Sequence, residues 1–151
     1  MKQVIKFKSD EEHYKADACV VWCFDDRFTG LLGELNKFGW KNVDLVKVAG
    51  GAKGLAEEIF GGVNEAPGVR FIEDQILKSI KLHNTKLIIL MIHRDCGAYG
   101  DLFKTHKDPV DYLKNQLRTA GKNLKVFLAL ENYYDVKIMT VFADFDGLWE
   151  V

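Results

Sequence analysis

The run Ala18-Cys19-Val20-Val21-Trp22-Cys23-Phe24 is apolar, rich in valine and aromatics, and breaks off at Asp25-Asp26-Arg27. Such a run reads as a β-strand, which places residues i, i+2 and i+4 on one face. If the extension persists, Cys23, Asp25 and Arg27 point the same way. A second apolar run, Leu87 to Ile92, ends at His93-Arg94-Asp95-Cys96. His93 and Cys96 are therefore expected just past a strand's end, where an i, i+3 spacing across a turn lets both side chains converge. A thiolate from one strand end, with an imidazole and a thiolate from another, makes a three-donor set suited to zinc, which favours S and N ligands in a tetrahedron. Three protein ligands leave a fourth position for water or substrate. That opening separates a catalytic zinc from a closed structural one.

Each half taken alone has an ordinary explanation. A cysteine in an apolar strand is commonly a small core residue, and His-x-x-Cys arises often by chance. The pairing of the two halves, each at the C-terminal end of an apolar strand and with Asp25 and Arg27 attached, favours metal. Cys19 shares the strand parity of Cys23 but lies four residues back, about 13 Å along an extended strand, and is read as core. Three cysteines, an odd number, argue against a disulfide framework.

The remaining periodicities arrange these motifs. Met1 to Asp17 is charged throughout and is expected to be an arm or a short helix. Leu31, Leu32, Leu35 and Phe38 fall at helical spacing, with Gly39 as the stop. Val43 to Val48 alternates as a strand, completing a β-α-β unit with a right-handed crossover. From Gly50 to Gly68 the chain carries six glycines and one proline around Leu55 to Phe60. Neither phosphate-binding glycine signature is present there, so a loop with a helical turn or two is expected. Val69, Ile72, Ile76, Leu77 and Ile80 form a helical face ahead of the strand Lys86 to Ile92, and His83 is expected to stabilise that helix's C-terminus or face solvent. After a short segment, Leu102 to His106, Asp108-Pro109 opens a long helix to about Tyr133, with Gly121 as a possible break. Val136 to Ala143 is the last clear strand, and Asp146-Gly147 turns back toward Leu148-Trp149. This alternation predicts an α/β fold, a single domain over residues 1–151, with a mostly parallel sheet of four to five strands flanked by helices.

At 151 residues the chain suits one domain with a real core. Its 48% hydrophobic and 28% charged composition and net charge of −1 give no reason to invoke nucleic acid or an anionic membrane. No apolar run reaches the length a bilayer requires, and the N-terminus does not read as a secretory signal. A cytoplasmic location is expected.

The motifs Cys-x-Asp-x-Arg (Cys23, Asp25, Arg27) and His-x-x-Cys-Gly-Ala (His93, Cys96, Gly97, Ala98) resemble the β-class carbonic anhydrase family. Lys47-Val48-Ala49-Gly50 is a weaker echo of that family's Arg-Asn-Ala-Gly stretch, and the order of elements matches over most of the chain. The resemblance implies strand order 2-1-3-4, one zinc ion per chain on Cys23, His93 and Cys96, and a homodimer or higher homo-oligomer. It implies an Asp25–Arg27 dyad, in which Arg27 holds Asp25 off the metal and Asp25 orients the attacking oxygen. Ala49, Gly50, Arg94 and Gly97 become the substrate-pocket candidates. The implied reaction is reversible hydration of CO₂ to bicarbonate by zinc-bound hydroxide. Two thiolates acidify the bound water less than three histidines do, which moves activity to alkaline pH. Tyr99 and His106 are the nearby groups for proton transfer, while His13 and His106 otherwise read as surface histidines.

The chain departs from the family at several places. Arg94 and Asp95 replace small or hydroxyl residues, Lys47 replaces an arginine, and no equivalent of the family's substrate-binding glutamine is found. The competing readings are a zinc hydrolase of another small linear substrate, of the carbonyl sulfide or carbon disulfide kind, and a non-catalytic zinc-stabilised or sensing protein. A thiol enzyme fits poorly, because the Cys23-to-Arg27 interval is too short for a Cys-x₅-Arg loop and Cys-x-x-Cys is absent.

Overall fold

The computed structural model describes residues 2–9, 11–57 and 67–151. Five strands form one sheet: β1 (Ala18–Cys23), β2 (Val43–Val48), β3 (Leu87–His93), β4 (Lys137–Asp144) and β5 (Gly147–Glu150), in the order β2-β1-β3-β4-β5. The first four are mutually parallel, and β5 returns antiparallel along β4. The expected 2-1-3-4 order is thus extended at one edge, where Asp146-Gly147 turns the chain back. β1 and β3 are central and almost wholly buried, as their unbroken apolar runs require.

Two long helices, α2 (Pro67–His83) and α4 (Pro109–Leu130), cover one face of the sheet. Leu113, Leu117, Ala120, Leu124 and Leu128 repeat along α4 at the spacing of a single helical face, and all are buried. Each buried leucine contributes about 1.5–3 kcal/mol by removal from water. Asp108 caps α4 by accepting from the Asp111 amide at 3.0 Å, with Pro109 at its first position. Gly121 does not break α4. A Cβ there would sit 3.1 Å from Thr140 Cγ2, so glycine lets helix and sheet approach closely. The opposite face, with Val20, Trp22, Ile89 and Met91, receives short pieces among the described residues: α1 (Gly30–Glu34), a 3₁₀ turn over Leu35–Phe38, the Phe28 and Trp40 side chains, and the turn from Cys96 to Tyr99. A further helix, α3 (Leu102–Thr105), is a single turn.

Several boundaries differ from the expectations. The N-terminal residues 2–9 and 11–17 contain no helix among those described. The helical segment ending at Gly39 is an α turn passing into 3₁₀, stopped by Gly39 at φ 84°. In the glycine-rich region the helical turn falls at Gly51–Ala56, earlier than Leu55 to Phe60, and residues 58–66 lie outside the described residues. His83 neither caps α2 nor points into solvent. Its Nδ1 lies 2.8 Å from Asp44 Oδ2, and its ring packs 4.4 Å from that of Tyr14.

Connections from β1 lead to β2 on one side, and the crossover through α2 leads to β3 on the other. The C-terminal ends of β1 and β3 therefore flank the point where strand order reverses, where open α/β sheets leave a crevice.

Candidate metal centre

β1 ends at Cys23 and β3 at His93, which is the last strand residue and not just beyond it. After His93 the chain turns through Asp95 at φ 55°, which brings Cys96 back beneath the strand end. The Sγ atoms of Cys23 and Cys96 are 4.0 Å apart. With a ring nitrogen of His93, they form a buried group whose ligand atoms all lie within 4.8 Å of one another. The three residues singled out in the sequence therefore converge.

The donor chemistry fits a tetrahedral d¹⁰ ion. His93 Nδ1 lies 2.8 Å from the Arg94 carbonyl oxygen, which can only accept. That bond places the proton on Nδ1 and leaves the Nε2 lone pair free. Nε2 is buried and makes no hydrogen bond. Zn–S bonds of ~2.3 Å in a tetrahedron set an S···S edge of ~3.8 Å, close to the separation found. The two thiols share charge. The Cys96 thiol, then His93 and the amides of Asp25 and Gly50, hold the Cys23 pKa down to about 4 against the opposing effect of burial. Cys96 is pushed up by its neighbour. One thiolate is thus favoured before any metal binds.

Strand parity does not bring Asp25 and Arg27 to the site. The chain leaves the sheet after Cys23, and Asp25 becomes the N-cap of a 3₁₀ helix, Asp26–Phe28, accepting from the Arg27 amide at 3.1 Å. Arg27 then folds back over it, with Nε 3.0 Å from Oδ1 and Nη2 2.7 Å from Oδ2. This bidentate pairing holds the Asp25 carboxyl low, at about 2. Asp25 Oδ2 remains 3.8 Å from His93 Nε2. Arg27 also reaches the other motif: Nη1 lies 3.2 Å from Asp95 Oδ2, and Nη2 lies 3.1 Å from the Asp95 carbonyl. The sequence marks Asp95 only as a departure from the family's small or hydroxyl residues. A signal was available, since aspartate is among the few non-glycine residues that tolerate positive φ.

The pocket candidates separate into two groups. Gly50, at φ 80°, offers its amide to Cys23 and abuts Ala98; exposed Ala49 precedes it, and Gly97 begins a 3₁₀ turn after Cys96. Arg94 is tied to Asp144 at 2.9 Å, with its guanidinium 5.9 Å from the Phe103 ring centre. Gly51, which the sequence reading passed over, is sterically required. At φ 57°, any Cβ there would drive into the Met91 carbonyl oxygen. The Lys47 ammonium donates to Thr29 Oγ1 at 3.0 Å, and the Lys53 ammonium donates to the Ala98 carbonyl at 2.6 Å. The Tyr99 hydroxyl is buried without a hydrogen-bond partner beside this wall, whereas His106 packs on Tyr112.

No family model matches the sequence. An uncharacterized protein of Rickettsia bellii is 27% identical over 155 residues, covering 99% of this chain and 92% of the relative. Among solved structures, β-carbonic anhydrase isoform I from Trichomonas vaginalis superposes with a TM-score of 0.58 at 15% identity, over 96% of this chain and 87% of that one. The β-carbonic anhydrase CcaA gives 0.61 at 16% identity, over 91% and 74%. A tetrameric β-carbonic anhydrase of Sordaria macrospora gives 0.53 at 14% identity, over 92% and 82%.

Proposed function

Proceeding from a chain that has the β-carbonic anhydrase fold, we propose that it is a zinc-dependent lyase catalysing the reversible hydration of CO₂ to bicarbonate. In this reading residues 1–151 form one zinc-binding domain, with Cys23, His93 and Cys96 as the metal ligands. Zinc held there supplies a Lewis acid that lowers the pKa of water into a range usable near neutral to alkaline pH. The rest of the chemistry belongs to side chains on this chain. Arg27 holds Asp25 by both oxygens, so the carboxylate stays ionised and is kept from moving onto the ligand cluster. The second lone pair of Oδ2 then accepts a hydrogen bond from the attacking water and aims its remaining lone pair at the CO₂ carbon. Gly50 and Gly97 carry no side chains, which leaves backbone beside the thiolates where a small linear substrate can approach.

The observation that carries the reading is the Asp25–Arg27 clasp set 3.8 Å from the free nitrogen of His93. The same clasp weighs against a coordination sphere closed by Asp25, as a purely structural or sensing zinc would have. A homo-oligomer is part of the proposal. It is supported by the tetrameric fold neighbour and by the thinly covered sheet face, beside which Phe38 and Phe145, both more than half exposed, stack on Trp40 and Phe28. A cytoplasmic setting is also proposed, resting on three unpaired cysteines. No helix among the described residues is long and apolar enough to cross a membrane.

The test is stopped-flow CO₂ hydration by zinc-replete, reduced protein between about pH 7 and 9, with Asp25→Ala as control. Turnover that rises with pH and is lost in Asp25→Ala, with zinc retained, supports the reading. Fully zinc-loaded protein without turnover overturns it.

A further inference from the structure

At the end of the sheet away from Cys23 and Cys96, a cavity of about 650 Å³ opens between the C-terminal half of α4 and the start of β4. Thr140, near the middle of β4, and Val151, just after β5, close its side. Strand pairing sets Lys137 beside Leu87 and Ala143 beside His93. At ~3.3 Å per residue, the three steps from Thr140 and the six from Lys137 set the cavity ~10–20 Å from the His93 row. The cavity is therefore independent of the proposed zinc chemistry. Its volume falls within the range of sites that take small molecules.

The lining combines two kinds of surface. Leu128, Ala129, Val136 and Ile138 supply apolar walls. Arg118, Lys122 and Lys125 follow one another at i, i+4 and i+7, so they stand in a row along α4, and Lys137 faces them from β4. No acidic side chain among the described residues lines the cavity, and the Val151 oxygen at its wall accepts from Thr140 Oγ1 at 2.6 Å. Among the described residues, Lys122, Lys125 and Lys137 engage no carboxylate. Among the described residues Arg118 bonds the neutral Asn115, at 2.7 Å. The turn between α4 and β4 carries two acids outside the lining: Asp135, paired with Lys86 at 2.7 Å, and Glu131, which lies toward Glu73 of α2.

Elsewhere on this surface Lys37, Lys78 and Lys104 each sit against a carboxylate three or four residues away. Like charges one helical turn apart cost stability. The dipole of α4 does not account for them either, because the cations stop short of the last turn, which holds no basic residue. Four cations with no carboxylate side-chain partner among the described residues, set around an apolar hollow, complement a ligand with the opposite sign on an apolar body.

We propose that this cavity binds a small amphipathic anion, an aliphatic or aromatic body carrying a carboxylate, sulfonate or phosphate, with Arg118, Lys122, Lys125 and Lys137 receiving the charge and the α4–β4 hollow receiving the body. The occupant is a free small molecule. A membrane surface presents its charge on a plane and would leave the hollow unfilled.

The probe is 1-anilinonaphthalene-8-sulfonate, titrated by fluorescence into the full-length chain, with the uncharged N-phenyl-1-naphthylamine as its comparison. Saturable one-to-one binding is expected, weakened by about tenfold or more in Lys122→Glu/Lys125→Glu, because two attractions become two repulsions. Both lysines are exposed, so the fold is unaffected. Ala129→Phe, which fills the hollow without altering charge, is expected to reduce binding of both probes. Sulfonate binding that is equal in the wild type and the double variant overturns the proposal. It is also overturned if Ala129→Phe has no effect, or if the charge dependence appears only on anionic phosphatidylglycerol vesicles and not with the free probe.

Discussion

Arg27 grips Asp25 by two parallel hydrogen bonds and, with its other edge, grips Asp95 on a different strand's exit turn. One guanidinium thus ties the two halves of the candidate centre together, a job that needs a planar fork with donors on several sides.

Arg27→Lys keeps the charge but loses that fork. Under the proposed function, CO₂ hydration falls by roughly 10–100-fold while zinc content stays near that of the wild type, the range found when a partner of a metal-site group is removed. Parallel stopped-flow and metal analysis check it. Full activity in Arg27→Lys would show that Asp25 does not need to be held.

Zinc, if bound by Cys23, His93 and Cys96, stabilises the fold by mass action. At free zinc about a hundredfold above Kd, the gain is ~2.7 kcal/mol, or a rise in Tm of ~5–10 °C for a chain of this size. Differential scanning calorimetry of reduced protein with and without zinc reads the shift. Cys96→Ser should abolish most of it, and an undiminished shift would place the ion elsewhere.

The Tyr14 hydroxyl donates to Asp44 Oδ1 at 2.6 Å, which, with burial, raises its pKa from 10 to about 12. A folded-state pKa above the unfolded one contributes stability that is full below the unfolded value, near 10, and is lost as the pH rises through the folded value, near 12. Asp44 behaves in the opposite sense. Burial opposes its charge, but hydrogen bonds, among them those of Tyr14 and His83, hold its pKa below the usual carboxylate value. Its contribution is therefore present above about pH 4 and lost in acid. The difference in tyrosinate absorbance between wild type and Tyr14→Phe should titrate near pH 12, and in an Asp44→Asn background it should move down toward 10. A midpoint unmoved by Asp44→Asn would refute the link.

Gly51 and Gly100 share a φ of 57° but not their surroundings. Gly51→Ala meets the Met91 carbonyl, whereas a Cβ at Gly100 meets nothing within 4 Å. Gly100, with ψ −131°, lies outside the left-handed helical well, so Gly100→Ala should cost ~1–3 kcal/mol from backbone strain alone. Gly51→Ala should cost ~3 kcal/mol or more, since clash adds to strain. Urea denaturation of the two variants separates the effects, and equal losses would contradict the close approach.

The sheet and the metal group were legible because both rest on local patterns. Unbroken apolar runs mark β1 and β3, and each run ends on its donor residue. The Asp25–Arg27 pairing was legible as a pair of residue types, but the route to it was not. Parity assumes that a strand continues, and it takes tertiary context to turn the chain into a 3₁₀ helix at Asp26. Asp95 as a second anchor, Gly51 beneath Met91 and His83 on Asp44 all depend on which strands lie side by side, information that no window of neighbouring residues contains. Arg94 illustrates the reverse: adjacency to His93 suggested the pocket, but its side chain reaches Asp144 on the neighbouring strand.

Cys23 and Cys96 are 73 positions apart in the chain and 4.0 Å apart in space. His93 and Cys96, by contrast, are within reach of each other in any collapsed conformation. A chain emerging from synthesis thus carries a two-pronged, weak chelate, and the third donor arrives only when β1 docks beside β3, after the entropy of closing the long intervening loop has been overcome. Tight capture of an ion would then act as a clock for that docking event: the rate at which a chromophoric chelator surrenders its metal to refolding protein would time the pairing of the two central strands.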